Sequence, residues 1–184
     1  MARVHLVRHA RPAAGWDADP DPGLDERGRR QAEAVADRLV GELTARPVVS
    51  SPLRRTQETA APLVRRWGST ATIERAVTEI PSPTADLVER RAWLDGVLAG
   101  RWDGQDEPVE RWRAGVVEAV RAMAVDTVVV THFVAVNAVV AAALGRPDVC
   151  AFLPGHASVT VVDVDAGGAL EVVALGSEAA IDLR

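Results

Sequence analysis

Five β-branched residues stand in a row, Thr127-Val128-Val129-Val130-Thr131, and His132 follows them directly. Such residues fit a pleated strand. A run without apolar–polar alternation suits a strand covered on both faces, as in parallel sheets flanked by helices. The rest of the chain alternates in the way such a sheet requires. Residues 3–8 and 47–50 read as strands and residues 71–74 as a candidate third. Asp25 is placed to cap a helix running to about residue 40, with Ala32, Val35 and Leu39 on one face and Gly41 near its stop. A second helix spans about 53–67 and is stopped by Gly68. Pro81-Ser82-Pro83 breaks the chain, and helices at about 84–99 and 108–124 follow, around a turn at Asp103-Gly104. The helix after His132 ends near Leu144, at Gly145 and Pro147. Val159–Val164 and Leu170–Ala174 read as an antiparallel pair around Gly167-Gly168. The pattern predicts an α/β three-layer sandwich: a mostly parallel central sheet of about five or six strands, an antiparallel edge, and helices on both faces. With no repeat and no linker, residues 1–184 read as one domain with a helical cap region at about 81–124.

Composition removes several function classes. At 184 residues and 48 % apolar, the chain can bury a core without staples. A single cysteine, Cys150, excludes an intrachain disulfide and a multi-cysteine metal site. The formal net charge of −5 argues against nucleic-acid binding by general electrostatics. All 21 basic residues are arginine, for which codon bias is the plainest origin. The chemical consequence holds either way: without lysine there is no Schiff-base chemistry and no P-loop lysine. No charged-then-apolar leader precedes the first strand. The longest apolar stretch, 128–144, is interrupted by Thr131, His132 and Asn137, and reads as strand plus buried helix rather than membrane span. A soluble, cytoplasmic protein with no membrane partner and no nucleic-acid partner is expected.

In open α/β sheets, ligands bind beyond the carboxyl ends of the parallel strands. Arg8 and His9 follow the first strand, Ser50 to Arg55 the second, and His132 the central one. Two histidines and one or two arginines at one sheet edge suit a doubly charged oxyanion, because guanidinium gives forked, charge-assisted hydrogen bonds to phosphate.

Leu6-Val7-Arg8-His9-Ala10 resembles the Arg-His-Gly signature of the histidine phosphatase superfamily, which includes the phosphoglycerate mutases. Leu24 to Ala32 resembles that family's first-helix pattern. Ser51 to Ala60 resembles its second arginine motif, with Arg55 at the phosphate-binding position. Thr131-His132 resembles its Ser-His-Gly, and Ala157 to Thr160 the opening of its last strand. Each match alone is weak. Five in order, at suitable spacing over nearly the whole chain, are strong.

The resemblance implies a metal-independent phosphatase, without cofactor, acting on a small phosphorylated metabolite or a phosphoprotein. Phosphate monoesters hydrolyse so slowly that enzymes supply up to ~10²¹ in rate, and one general acid gives only about 10²–10⁴. The rest must come from positioning and from positive charge around the phosphoryl oxygens. In this reading neutral His9 attacks phosphorus and becomes phosphohistidine. Arg8, Arg55 and protonated His132 hold the phosphoryl oxygens. A carboxylic acid protonates the leaving alkoxide and then activates water. The resemblance points to Glu79 as that acid, ahead of Glu74 and Asp86, although the family's usual companion motif is replaced by Pro81-Ser82-Pro83-Thr84. Ala10 stands for the signature glycine, Phe133 follows His132 where glycine is usual, and Asn137 occupies a position that is often arginine.

Other residues have plainer readings. His5 is packed or exposed structure, His156 a loop histidine in preference to a substrate contact, and Arg54, Arg29 and Arg30 solvent-facing. Arg11, adjacent to the motif, is a candidate contact for a substrate's far end. Asp17, Asp19 and Asp21 resemble a calcium loop, but Pro22 and Gly28 stand where glycine and glutamate are required, so they read as a solvated loop at the site mouth. Trp93, Trp102 and Trp112 lie among arginines whose charge nearby acids cancel, and read as inward packing or a specificity wall. Two rival functions stand beside the phosphatase: a phosphoglycerate-mutase-type phosphotransferase, and a non-catalytic phospho-ligand binding module. Substrate and oligomeric state are not written in these residues.

Overall fold

The computed structural model describes residues 1–15 and 18–179. Six strands form one sheet: β1 (Ala2–Arg8), β2 (Val48–Ser50), β3 (Ala71–Ile73), β4 (Thr127–Thr131), β5 (Val159–Val164) and β6 (Leu170–Ala174). Their spatial order is β3-β2-β4-β1-β5-β6. The first four run parallel, while β5 pairs antiparallel with β1 and β6 antiparallel with β5. Five α-helices connect them: α1 (Glu26–Glu42), α2 (Arg54–Trp67), α3 (Leu87–Leu98), α4 (Glu107–Arg121) and α5 (Phe133–Leu144). The expected mostly parallel sheet with an antiparallel edge is what the chain forms.

Side-chain alternation divides the interior in two. Val4 and Leu6 of β1 and Val129 of β4 pack with Val116 and Val120 of α4 and Val136 of α5. Val7, Val128 and Val130 point the other way, onto Val35 and Leu39 of α1 and Leu63 of α2. The period of two along β1 and β4 puts neighbouring residues on opposite faces. All five residues of β4 are buried, as a doubly covered strand requires. Full burial of each Val or Leu contributes roughly 1.5–3 kcal/mol.

Helix boundaries follow their caps. Asp25 caps α1 by accepting from the Gly28 amide at 2.6 Å. Gly41 lies near the stop of that helix, as expected, one residue before its last residue, Glu42. Helix α3 starts three residues later than the sequence pattern suggests, because the Asp86 carboxylate caps the Val88 and Glu89 amides. Gly28 has a packing reason: a Cβ there would stand 2.0 Å from the Arg11 carbonyl oxygen. Among the described residues, no helix is long and apolar enough to cross a membrane.

Candidate active site

The carboxyl ends of β1, β2 and β4 deliver their residues to one cavity of about 270 Å³. Backbone bonds fix the approach. The His9 amide donates to Thr131 O at 2.8 Å and the Arg8 amide to Ser158 O at 3.1 Å. The Ala10 amide donates to Thr59 Oγ1 of α2 at 2.9 Å, and that hydroxyl donates to Arg55 O at 2.7 Å. The loop after β1 and the first turn of α2 are thereby locked together. The Ala10 methyl packs beside Leu24, Ala32 and Ala157, so its β-carbon fills a small apolar cluster.

His9, Arg55, Glu79 and His132 are only 4, 3, 6 and 0 % exposed. One ring nitrogen from each histidine and a Glu79 carboxylate oxygen lie within 4.8 Å of one another. The His9 and His132 ring centroids are 5.3 Å apart. The tautomer of His9 follows from its partner. Its Nδ1 lies 2.8 Å from Ala10 O, and a carbonyl can only accept. The proton therefore sits on Nδ1, and Nε2 keeps its lone pair. Burial, reinforced by Arg55 and Arg8, pushes the His9 pKa well below the ordinary histidine value.

His132 is expected to act as a cation beside a bound anion. In the ligand-free site burial, then His9, Arg55 and Arg8, push its pKa well below the usual value, which favours the neutral ring there. Its Nε2 shares a hydrogen bond with Ser51 Oγ at 2.8 Å. Its Nδ1 is 3.7 Å from Glu79 Oε2 and has no hydrogen-bond partner among the described residues.

Glu79 reaches the cavity by a route the missing downstream motif does not disturb. A 3-10 turn at Arg75–Val77 precedes it. Thr131 Oγ1 donates to Val77 O at 2.6 Å, and Trp112 Nε1 of α4 donates to Thr78 O at 3.3 Å. The segment is therefore pinned to β4 and α4. Burial raises the Glu79 pKa, against the opposing pull of Arg55, Arg8 and Arg90. Glu74 caps the 3-10 turn through the Ala76 amide, and Asp86 caps α3, so both rival acids are occupied elsewhere.

The cations keep donors in hand. Burial lowers the Arg8 pKa to about 10 and also lowers that of Arg55. Arg8 Nε and Arg55 Nη2 are buried without a hydrogen-bond partner among the described residues. Two desolvated guanidinium groups with spare N–H donors make an anion site. His9, Glu79 and His132 also form a donor set of the type that a dication uses. Two guanidinium groups facing the same cavity make the local field positive, which favours an anion there instead.

Sequence departures find structural uses. Phe133 lies under the Arg8 guanidinium, 5.1 Å from ring centroid to carbon. Asn137 Oδ1 accepts from the Ala151 and Phe152 amides at 2.8 and 3.1 Å, so it holds backbone rather than ligand. Arg90 of α3 also lines the cavity. Arg11 is paired with Asp25 at 3.0 Å. Asp21 accepts from the Arg54 amide at 2.8 Å at the start of α2, and Asp19 lines the cavity mouth. Asp17 lies outside the described residues. Trp102 is buried beneath Arg113, away from the cavity.

One residue was misjudged from sequence. His156 is no bystander in a loop: it lines the cavity, with its ring 5.7 Å from that of His9. The signal was available. Strand β5 runs antiparallel to β1, so the residues before β5 stand at the carboxyl ends of the parallel strands. Ser51, quoted only as part of a motif, is the second such residue through its bond to His132.

Residues 4–176 match the profile of the histidine phosphatase superfamily, branch 1. The chain belongs to that family. Among curated proteins, the uncharacterized protein Rv0525 of Mycobacterium tuberculosis is 36 % identical over 107 residues, covering 55 % of this chain and 47 % of the relative. The chain spans about half the length of the curated relatives it matches. Solved histidine phosphatase-like structures share the fold. A phosphoserine phosphatase mutant from Entamoeba histolytica, in complex with phosphoserine, aligns with TM-score 0.73 at 19 % identity, covering 96 % of this chain and 98 % of that one. A mycobacterial glucosyl-3-phosphoglycerate phosphatase, in complex with VO3, aligns with TM-score 0.73 at 23 % identity, covering 97 and 100 %.

Proposed function

We propose that this histidine phosphatase superfamily member is a metal-independent phosphatase that hydrolyses phosphate monoesters through a phosphohistidine at His9. The observation that carries the reading is the His9 tautomer. Nδ1 is committed to Ala10 O, and the Nε2 lone pair belongs to a buried ring whose pKa is depressed. Arg8, Arg55 and His132 hold the phosphoryl oxygens. An entering dianion supplies the charge that lets His132 take up a proton, so substrate and cation assemble together.

Glu79 serves as acid and then base. Its raised pKa suits a carboxyl that keeps its proton until the leaving alkoxide needs it. In the first step Nε2 bonds to phosphorus, the P–O bond to the leaving group breaks, and the Glu79 proton goes to the alkoxide. In the second step water attacks phosphorus, its proton passes to Glu79, and the N–P bond breaks to release inorganic phosphate. The phosphatases among the structural relatives support the same substrate class, a small phosphorylated metabolite.

Rapid quench with a radiolabelled aryl phosphate tests the reading. An acid-labile, alkali-stable label on the peptide carrying His9 is expected, together with stoichiometric release of phosphate. Turnover that survives in His9→Ala overturns the assignment. A phosphotransferase of the mutase type would instead need a phosphorylated primer and keep free phosphate low.

A further inference from the structure

We propose that His156 is a positioning residue that clamps the Arg8 guanidinium in the orientation that receives the phosphoryl group. The inference rests on reading the cavity as a phosphate site, and it concerns a side chain outside the four-residue cluster of His9, Arg55, Glu79 and His132.

The geometry starts from donor and acceptor types. Arg8 Nη2 lies 3.0 Å from His156 Nε2, and Arg8 Nη1 lies 2.7 Å from Pro154 O. A guanidinium has only donors, so His156 Nε2 must be the acceptor and the imidazole must be neutral. Both terminal nitrogens of Arg8 are then tied to residues two apart in one turn. Phe133 covers the guanidinium face, which leaves the buried Nε–H among the donors available for an oxyanion.

The turn is itself held against β1. The Ala157 amide donates to Arg8 O at 3.1 Å, and Arg8 N donates to Ser158 O at 3.1 Å. Residues 154–158 therefore grip Arg8 at its backbone and at its side-chain end. Between His156 and Ser158 stands Ala157, with φ +57°, the only non-glycine residue in the left-handed region among those described. An L-residue is strained there, because its Cβ crowds the following carbonyl oxygen. Strain of this kind persists where surrounding structure over-determines it. Here the strained residue turns the chain so that His156 faces back over Arg8.

The charges around His156 agree with its acceptor role. Burial, then Arg8, Arg11 and Arg27, lower its pKa to about 4, while Asp25 pulls the other way. A protonated His156 would present a donor and a positive charge to Arg8, and the clamp would open.

The test compares His156→Gln, whose side-chain oxygen offers an acceptor near the Nε2 position, with His156→Leu and His156→Ala, which offer none. The readouts are kcat/KM on an aryl phosphate, the inhibition constant of inorganic vanadate, calorimetric binding of inorganic phosphate, and the melting temperature. Misplacing one binding group costs on the order of 10²-fold. His156→Leu and His156→Ala should therefore lose about 10- to 100-fold in kcat/KM and weaken vanadate and phosphate in parallel, and His156→Gln should recover most of both. Equal vanadate affinity in all four proteins overturns the proposal. So does a loss in His156→Gln as large as in His156→Ala at an unchanged melting temperature. If His156→Leu fails to fold, the Gln–Ala pair carries the same comparison. Phosphate binding that depends on residue 156 in a protein without turnover would keep the clamp and sink the phosphatase reading. Turnover indifferent to residue 156 would do the reverse.

Discussion

The two ends of the sheet carry similar residues and treat them oppositely. At the amino end, Arg3 of β1 forms a forked pair with Asp163 of β5 at 2.8 Å, and its amide donates to Asp126. Arg46 takes the other oxygen of Asp126 at 3.3 Å. At the carboxyl end of the same strand, Arg8 has no carboxylate partner within salt-bridge distance among the described residues, and its Nε–H is unmet. Among the described residues, the carboxylate within that distance of Arg55 is Asp21, 3.7 Å away. Arg3 is largely in water, where an unpaired charge would cost little, yet it is paired. Arg8 and Arg55 are buried, where an unpaired charge is expensive, yet they keep spare donors. Folding alone would select the reverse. Buried guanidinium donors without a partner are therefore the mark of a site that an anion completes.

The largest break in that symmetry should come from His9→Ala against His5→Asn. Loss of the proposed nucleophile should cut kcat by on the order of 10⁴ or more, while His5→Asn stays within about threefold. Release of phosphate by both variants at similar rates would show that the carboxyl end holds no special histidine. Next come the arginines. Arg55→Ala should lose about 10²–10³ in kcat/KM, the usual cost of one oxyanion donor. Arg3→Ala should leave kcat/KM unchanged and be read only in thermal stability. Steady-state kinetics on one aryl phosphate settle both pairs.

Glu79 sharpens the comparison by chemistry. Glu79→Gln should cost an alkyl phosphate about 10²–10⁴, and an aryl phosphate less, because a phenolate leaves with little help from an acid. Because burial raises the Glu79 pKa, the acid form persists above the ordinary carboxylate range. Activity on the alkyl ester should then fall as pH rises through that raised value, and this alkaline limb should vanish in the Gln variant. Equal losses on both esters would remove Glu79 from the acid role.

How much of this was legible in the sequence depends on strand direction. Parallel strands announced themselves: β4 is a β-branched run ending at His132, and β1 ends at Arg8 and His9, so the rule that ligands sit beyond strand ends led directly to three of the site residues. The helices were placed to within a few residues, and the discrepancies trace to side-chain caps such as Asp86, which compete with the periodicity of apolar residues. The antiparallel strand was where reading failed. His156 precedes β5, and only pairing with β1 brings it beside Arg8. The protonation of His132 was illegible for a different reason. It depends on burial and on three neighbouring cationic or ionisable groups, which no local pattern encodes.

Stability against pH reports the same buried histidines. The pKa values of His9 and His132 are depressed by burial first. Below the ordinary histidine value near 6.5, the unfolded chain takes up protons that the folded chain refuses. Their contribution is thus complete above that value and is lost as pH falls below it, by up to about 1.4 kcal/mol per pH unit for each. Glu79, whose carboxyl holds its proton longer in the folded chain, works in the opposite direction and offsets part of the slope. The melting temperature should drop between pH 7 and pH 5, and His132→Asn should flatten the drop. A melting temperature that is level across this range would mean that the histidines are not buried as neutral rings.

The smallest effect concerns Ala157, where the two demands on this sheet end meet in one residue. Its left-handed backbone costs an L-residue about 1–2 kcal/mol, whereas glycine would lose roughly 0.5–1 kcal/mol more conformational entropy on folding. Ala157→Gly should therefore stabilise the fold slightly, by about 0.5–1 kcal/mol, or a few degrees in melting temperature for a domain of this size. The methyl group also packs beside Ala10 in the loop that carries His9. If the strained alanine serves only folding, the glycine variant gains stability and keeps its kinetics. If it holds the turn against Arg8, the gain comes with weaker vanadate inhibition, because a freer turn lets His156 leave the guanidinium. Measuring both on the same protein separates stored strain that aims a side chain from strain that merely persists.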